Sequence, residues 1–300
     1  MIMLKNILRY NVFIIVIITM ISPNASLVSA HMFSREEKVI KAGVLLYRFD
    51  DAYISLVRES LEKIQNENQG KIQFAFYDAK NDQKVQNETL DKLLEKNEND
   101  ILLVNLVETN STSEVINKIK EQNIPAILFN REPVSIDAIK SYNKSCYIGT
   151  EVAEAGVLQG KVITNVWNNN KSSIDKNNDD TLQYIMLMGE ADNLEAVTRT
   201  KYSILAINNS GIKTEELALK VCDWNEEAAK NATKALFSQL GNKIEAIIAN
   251  NDSMAIGAIE ALQEYGYNKG DKNQAITVVG VDAIPEAQKL IKEHSCYKVK

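Results

Sequence analysis

Asp51, Asn105, Arg199, Trp224, Asn251 and Asp282 recur at one kind of place in the chain: each falls just after a short apolar run or one turn into the helix that follows. Tyr47 and Tyr53 flank Asp51, and Gly189 to Asn193 form a further segment of this type. These residue types suit a particular chemistry. A carboxylate accepts several hydrogen bonds, a guanidinium donates several, and a carboxamide does both. Aromatic faces such as those of Tyr53 and Trp224 cover apolar C–H surface. Together they match a sugar ring, whose hydroxyls donate and accept while its faces are apolar. A site that satisfies every hydroxyl strongly rejects analogues lacking one. Asp, Asn and Gly after strands also serve as turn and cap residues, a plainer role that applies to any one of these positions alone. Asp252 reads as an N-cap and Trp167 as packing at a helix end. The collection, rather than any member, points to binding. Two carboxylates such as Asp51 and Asp282 would also suit glycoside hydrolysis, so residue chemistry by itself leaves that alternative open.

A second constellation is local. Asp175, Asn177, Asp179 and Gln183 place oxygen side chains where an EF-hand calcium loop has them, and Thr181 can offer its backbone carbonyl. The glycine of the sharp turn is here Asp180, which tolerates left-handed backbone less well than glycine but better than most residues. The closing bidentate position falls on Met186, which cannot ligate, so a carboxylate must come from elsewhere. Other chemistries are absent from the composition. The only histidines are His31 and His294, near the two ends, which leaves no central imidazole for a Ser-His-Asp triad and no zinc cluster. Cys146, Cys222 and Cys296 match no metal or redox spacing, and Cys146, in an apolar stretch, reads as a buried free thiol.

Positioning such residues takes alternating strands and helices. Lys41–Leu46 reads as a strand, and Ile54, Val57, Leu61 and Ile64 recur at helical spacing. Strands follow at Lys71–Tyr77, Ile101–Asn105 and Pro125–Phe129, with helices between them. A polar stretch at 131–143 interrupts the pattern, which restarts with a strand at Cys146–Gly149 and runs through strands at Gln183–Met188, Leu217–Val221, Glu245–Ala249 and Thr277–Val281. This order implies an α/β protein with two doubly wound parallel-sheet lobes joined by a hinge. The lobes are expected over 36–124 and 125–295, with ligand sites beyond the C-terminal strand ends.

The 300 residues carry a net charge of −6, with no basic cluster suited to nucleic acid. Lys5 and Arg9, the apolar run Val12–Ile21 and the small residues Val28-Ser29-Ala30 describe a secretory signal peptide over residues 1–30. Its apolar run of about ten residues is half of the roughly 20 that span a bilayer.

At these residues the chain closely resembles the periplasmic galactose/glucose-binding proteins of bacterial ABC importers, a type 1 periplasmic-binding-protein family. The likeness rests on Tyr47–Tyr53, Ile101–Val107, Gln122–Pro133, Asp175–Gln183, Ile244–Met254 and Val279–Ala287, and it covers roughly residues 40–292. It implies a non-enzymatic, monomeric receptor outside the cytoplasmic membrane. Such a receptor closes on D-galactose or D-glucose and delivers it to a membrane ABC permease, with a chemoreceptor as a further partner. By resemblance, Tyr47, Asp51, Tyr53 and Asn105 are first-lobe sugar residues, and Arg199, Trp224, Asn251 and Asp282 second-lobe ones. Asn193 and Glu195 stand where the family has His and Asp, which bears on sugar preference. Glu245 matches the remote carboxylate that completes a structural Ca2+ site with Asp175, Asn177, Asp179, Thr181 and Gln183. A transcriptional regulator on the same core would need a helix-turn-helix where the signal peptide stands. The family chain continues past the last helix and returns to the first lobe, whereas His294–Lys300 is unlike that continuation. The expectation is therefore a shortened chain whose first lobe lacks part of its cover. A non-functional remnant, or a receptor for another pentose or hexose, is the alternative outcome.

Overall fold

In a computed structural model of the chain, residues 38–293 and 297–299 are described. The expected signal peptide lies outside them, as do His31, His294 and Cys296.

The first half alternates β1 (Ile40–Leu46), α1 (Ala52–Glu67), β2 (Ile72–Asp78), α2 (Gln83–Lys96), β3 (Ile101–Val104), α3 (Thr112–Glu121), β4 (Ala126–Phe129), the short α4 (Asp137–Lys140) and β5 (Ser145–Ile148). These strands form one parallel sheet in the order β2-β1-β3-β4-β5. The second half follows with α5 (Val152–Asn169), β6 (Thr181–Met188), α6 (Leu194–Asn209), β7 (Lys213–Val221), α7 (Glu226–Leu240), β8 (Ala246–Ala249), α8 (Asp252–Glu264), β9 (Thr277–Gly280), α9 (Pro285–Lys292) and β10 (Tyr297–Val299). Its sheet, also parallel, runs β10-β9-β8-β6-β7. The α/β architecture with two doubly wound lobes is as the alternation predicts.

The division between lobes is not where the composition puts it. The sequence reading ends the first lobe at residue 124. Strand pairing instead places β4 and β5 in the first sheet, so residues 149–151 carry the chain across. The polar stretch at 131–143 looks like a linker, but it is the crossover that a parallel β4–β5 pair requires. Backbone bonds from Ala126 N to Lys144 O and from Asn130 N to Ile148 O seal that pair.

Each sheet sorts its residues by the two-residue strand period. In the second sheet, Leu182, Tyr184 and Met186 face α5 and α6, while Ile185 and Leu187 face α7 and α8. Strands β8 and β9 are buried along their whole lengths. Trp167 packs at the end of α5 in this core, as expected. In the first sheet, Leu102, Val104, Ala126 and Leu128 are buried under α2 and α3. Among the described residues, the opposite face is covered by α1 over β1 and β2 only. Beyond it Leu103, Ile127 and Phe129 are half-buried, and Cys146 and Ile148 are exposed. Cys146 is thus a surface thiol, because the strand period turns it to the open face, whereas Cys222 is buried. Among the described residues no helix is long and apolar enough to cross a membrane.

Candidate functional site

The strand ends of both sheets meet in a cleft lined by Tyr47, Asp51, Tyr53, Ile54, Asn130 and Arg131 from the first lobe and by Asn193, Glu195, Arg199, Trp224, Asn251 and Asp282 from the second. All the expected sugar residues except Asn105 line it.

On the first-lobe side, Asp51 caps α1, with its Oδ1 accepting from the Ile54 amide at 2.9 Å. The other oxygen accepts a 2.6 Å bond from the Tyr47 hydroxyl. Burial and the neighbouring Asp51 carboxylate push the Tyr47 phenol upwards, so it stays a donor. Tyr53 sits in the first turn of α1 and remains more than a third exposed to the cleft. Asn105 lies beneath this wall, fully buried. Its Oδ1 accepts from the Tyr47 amide at 3.3 Å, and its Nδ2 donates to the Asn130 side chain at 3.1 Å. With both ends of the carboxamide engaged, Asn105 holds Tyr47 and Asn130 in place rather than facing the cleft.

On the second-lobe side, Asn193 caps α6 by accepting from the amides of Glu195 and Ala196 at 2.9 and 3.2 Å. One turn apart on that helix, Arg199 and Glu195 approach to 3.4 Å. Arg199 also donates to the Asn250 carbonyl at 2.9 Å and lies 5.7 Å over the Trp224 ring. Burial pushes the Glu195 carboxyl upwards, against the pull of Arg199. The indole of Trp224 rests on Gly189, where any Cβ would fall 2.4 Å from its ring atoms, so only glycine leaves room. Asn251 caps α8 through a 3.0 Å bond from the Met254 amide and donates to the Trp224 carbonyl at 3.3 Å.

Backbone shape marks the same loops. Asp223 and Trp224 have φ of 49° and 62°, and Asp282 and Ala283 have φ of 114° and 57°. Side chains other than glycine rarely adopt such values, and they concentrate where function fixes the geometry. Asp252 is no cap: it is the first helical residue of α8, fully buried, and accepts from the Ile284 amide at 3.0 Å. It thereby fixes the turn that carries Asp282. Burial pushes the Asp282 carboxyl well above the usual carboxylate range, with Arg199 opposing. From α5, the buried Gln159 donates to the Ala249 carbonyl at 2.6 Å, pinning the end of β8 just before Asn250 and Asn251. Gly160 lets α5 approach α6 closely, since a Cβ there would lie 2.3 Å from the Ser203 carbonyl.

Asn130 and Arg131 are cleft residues to which the sequence reading gives no role. The signal is available: they follow β4 as the other site residues follow their strands. The polar composition of the next dozen residues masks it.

The acidic loop enters β6 on the second lobe. Asp175 accepts from the amides of Asp179 and Asp180 at 3.1 and 3.3 Å, and Asp179 accepts from the Thr181 amide at 2.9 Å. Asn178 and Asp180 take the left-handed turn, at φ of 58° and 62°. Glu245, distant in sequence, is buried against the loop and accepts from the amides of Lys176 at 2.6 Å and Gln183 at 3.1 Å. Gln183 Nε2 donates to Asp179 at 2.8 Å. Among the described residues no three His, Cys, Asp or Glu side chains gather as a metal cluster. A cation here would therefore draw on the Asn177 and Gln183 amides and the Thr181 carbonyl as well as on carboxylates, a donor set suited to a hard ion such as Ca2+.

A periplasmic binding protein domain matches residues 42–299. The chain belongs to the periplasmic binding protein family. It is 38% identical over 254 residues to the D-galactose/methyl-galactoside binding periplasmic protein MglB of Haemophilus influenzae, covering 84% of this chain and 73% of that protein. It is 27% identical over 248 residues to a putative rhizopine-binding protein of Rhizobium meliloti, covering 82% and 73%. Among solved structures, an ABC transporter solute binding protein from Bacillus halodurans with bound myo-inositol superposes with a TM-score of 0.71 at 23% identity, covering 87% of this chain and 81% of that one. A periplasmic solute binding protein from Actinobacillus succinogenes with bound D-allose gives 0.70 at 18%, covering 85% and 83%. At these identities the structural likeness speaks for the fold.

Proposed function

We propose that this periplasmic binding protein family member is an exported receptor that captures one monosaccharide between its lobes and hands it to a membrane ABC importer, with D-galactose or D-glucose as the sugar. The observation that carries the reading is the convergence of Asp51, Asn193, Glu195, Arg199, Asn251 and Asp282 on one cleft beside Tyr53 and Trp224. Carboxylates supply acceptors, Arg199 and the carboxamides supply donors, and the two aromatic rings suit the faces of a pyranose. The identity to a galactoside-binding relative supports galactose over the inositol and allose of the structural neighbours. A chemoreceptor is a second partner consistent with this role.

Capture needs no covalent step. Closure brings the two half-sites together and removes water, and the sugar shifts the population towards the closed state by its preference for that state. Ca2+ belongs to the proposal as a structural ion held by Asp175, Asn177, Asp179, Gln183, Glu245 and the Thr181 carbonyl. When bound, it would neutralise the carboxylates of the loop at the start of β6.

The test is calorimetric titration of the purified chain with D-galactose, D-glucose, D-allose and myo-inositol, with Trp224 fluorescence as a second readout. Saturable binding of galactose or glucose at micromolar or lower concentration is expected, with no release of chromophore from a nitrophenyl galactoside. Preference for inositol or allose would reassign the ligand, and turnover of the galactoside would overturn the receptor reading.

A further inference from the structure

We infer that Arg131 and Glu190 form a closure clasp between the two lobes, and that this pair, in addition to any contact Arg131 makes with a ligand, sets how long the closed state lasts. Arg131 belongs to the first lobe, in the loop after β4, and Glu190 to the second, in the loop after β6. The guanidinium meets the carboxylate through two nitrogens. Nη1 donates to Oε1 at 3.3 Å, and Nη2 bonds Oε2 at closer range. Among the described residues it is the only ion pair that spans the two sheets. Both side chains are largely sequestered, at 7% and 15% exposure.

Each partner is tied into the binding wall of its own lobe. The Arg131 guanidinium lies 4.6 Å over the ring of Tyr47, whose hydroxyl is bonded to Asp51. Its neighbour Asn130 is held by the Asn105 amide and by the Tyr147 hydroxyl, which donates to the Asn130 carbonyl at 2.7 Å. On the other side, the Glu190 carbonyl accepts from the Asn193 amide at 3.2 Å, and Asn193 caps the helix bearing Glu195 and Arg199. The clasp therefore joins Tyr47 and Asp51 to Asn193 without passing through a ligand. Opening the lobes would return both charges to water. Closing them forms a bidentate, charge-assisted pair. Losing one partner leaves a desolvated charge in the closed state, a penalty felt mainly in the dissociation rate.

The inference rests on the sugar-receptor reading for its affinity readout but not for its conformational one, so the experiment has two arms. Small-angle X-ray scattering compares the ligand-free native chain with Arg131→Met, Glu190→Gln and the exchanged double variant Arg131→Glu/Glu190→Arg. Stopped-flow fluorescence with D-galactose measures their dissociation rates. Both single variants should have a larger ligand-free radius of gyration and lose about tenfold or more in affinity, mostly through faster dissociation. The exchanged pair should recover compaction and much of the affinity, which a merely structural role for either residue would not produce. Single variants as compact and as slow to release galactose as the native chain would overturn the clasp. If galactose fails to bind any version, the sugar reading falls and the scattering arm alone decides the clasp. Unchanged radii would then overturn it.

Discussion

The two lobes share a topology but not a packing. The second sheet is clothed on both faces: α5 and α6 bury one side, α7 and α8 the other, and β8 and β9 are buried at every residue. The first sheet is clothed on one face by α2 and α3, while among the described residues its other face is covered by α1 over β1 and β2 only, leaving Ile148 59% exposed. The contrast separates two things that alternation of strands and helices conflates. Order in the chain makes a parallel sheet, but burial on both faces is what makes its strands costly to disturb. The cleft residues are therefore divided between a sheet buried on both faces and one with an exposed face.

The largest test of this contrast is a pair of truncations. Ile247→Ala, in the middle of β8, should cost about 2–5 kcal/mol in urea unfolding. Ile148→Ala should change stability by no more than about 0.5 kcal/mol, as at an ordinary surface position. Equal losses would mean that the first sheet is covered in solution. Next in size is the ion. Added Ca2+ at a hundredfold excess over its Kd should raise the unfolding free energy by about 2.7 kcal/mol. Glu245→Ala should remove that gain, and hydrogen exchange should slow in β6 and β8 but not in β3 and β4. A gain in the first lobe instead would detach the ion from the acidic loop.

Asp282 provides a smaller effect of opposite sign. Its carboxyl is pushed upwards in the folded state, so its ionisation opposes folding at neutral pH. The stability linked to its proton is fully present below the ordinary carboxylate range and is lost as pH rises through the elevated folded value. Asp282→Asn should therefore raise Tm at pH 7 by on the order of a few degrees and flatten that part of the pH dependence, while weakening sugar binding. An unchanged Tm–pH profile would show that the carboxyl is hydrated. Smallest is the cap: Asn251→Ala should cost about 1 kcal/mol by freeing the α8 terminus, and its larger effect should fall on ligand affinity. A loss confined to stability would remove Asn251 from the site.

Much of this is legible in the chain. Helical spacing from Ile54 to Ile64 and short apolar runs such as Ala246–Ala249 in β8 announce the elements, because period and burial are local properties. The polar residues at strand ends converge because parallel sheets place those ends on one side. Glu245 approaches the acidic loop as the resemblance implies. Two assignments fail for a common reason. Asp252 looks like a cap yet anchors the Ile284 amide, and Cys146 sits in an apolar run yet faces outward. Asn105, alike in type and place to the cleft residues, lies buried beneath the cleft wall. In each case the strand or helix is right, and the layer above the side chain is not a property of the local sequence.

Local sequence therefore accounts for the α/β order, the two sheets and the chemical character of the cleft, since propensity, period and turn chemistry act over a few residues. Tertiary packing decides that β4 and β5 complete the first sheet, that Cys146 and Ile148 on that sheet are exposed, and that Arg131 meets Glu190 across the cleft. Those outcomes depend on which surfaces compete for burial and which charges face each other after packing, and such contacts join residues that nothing in the local sequence connects.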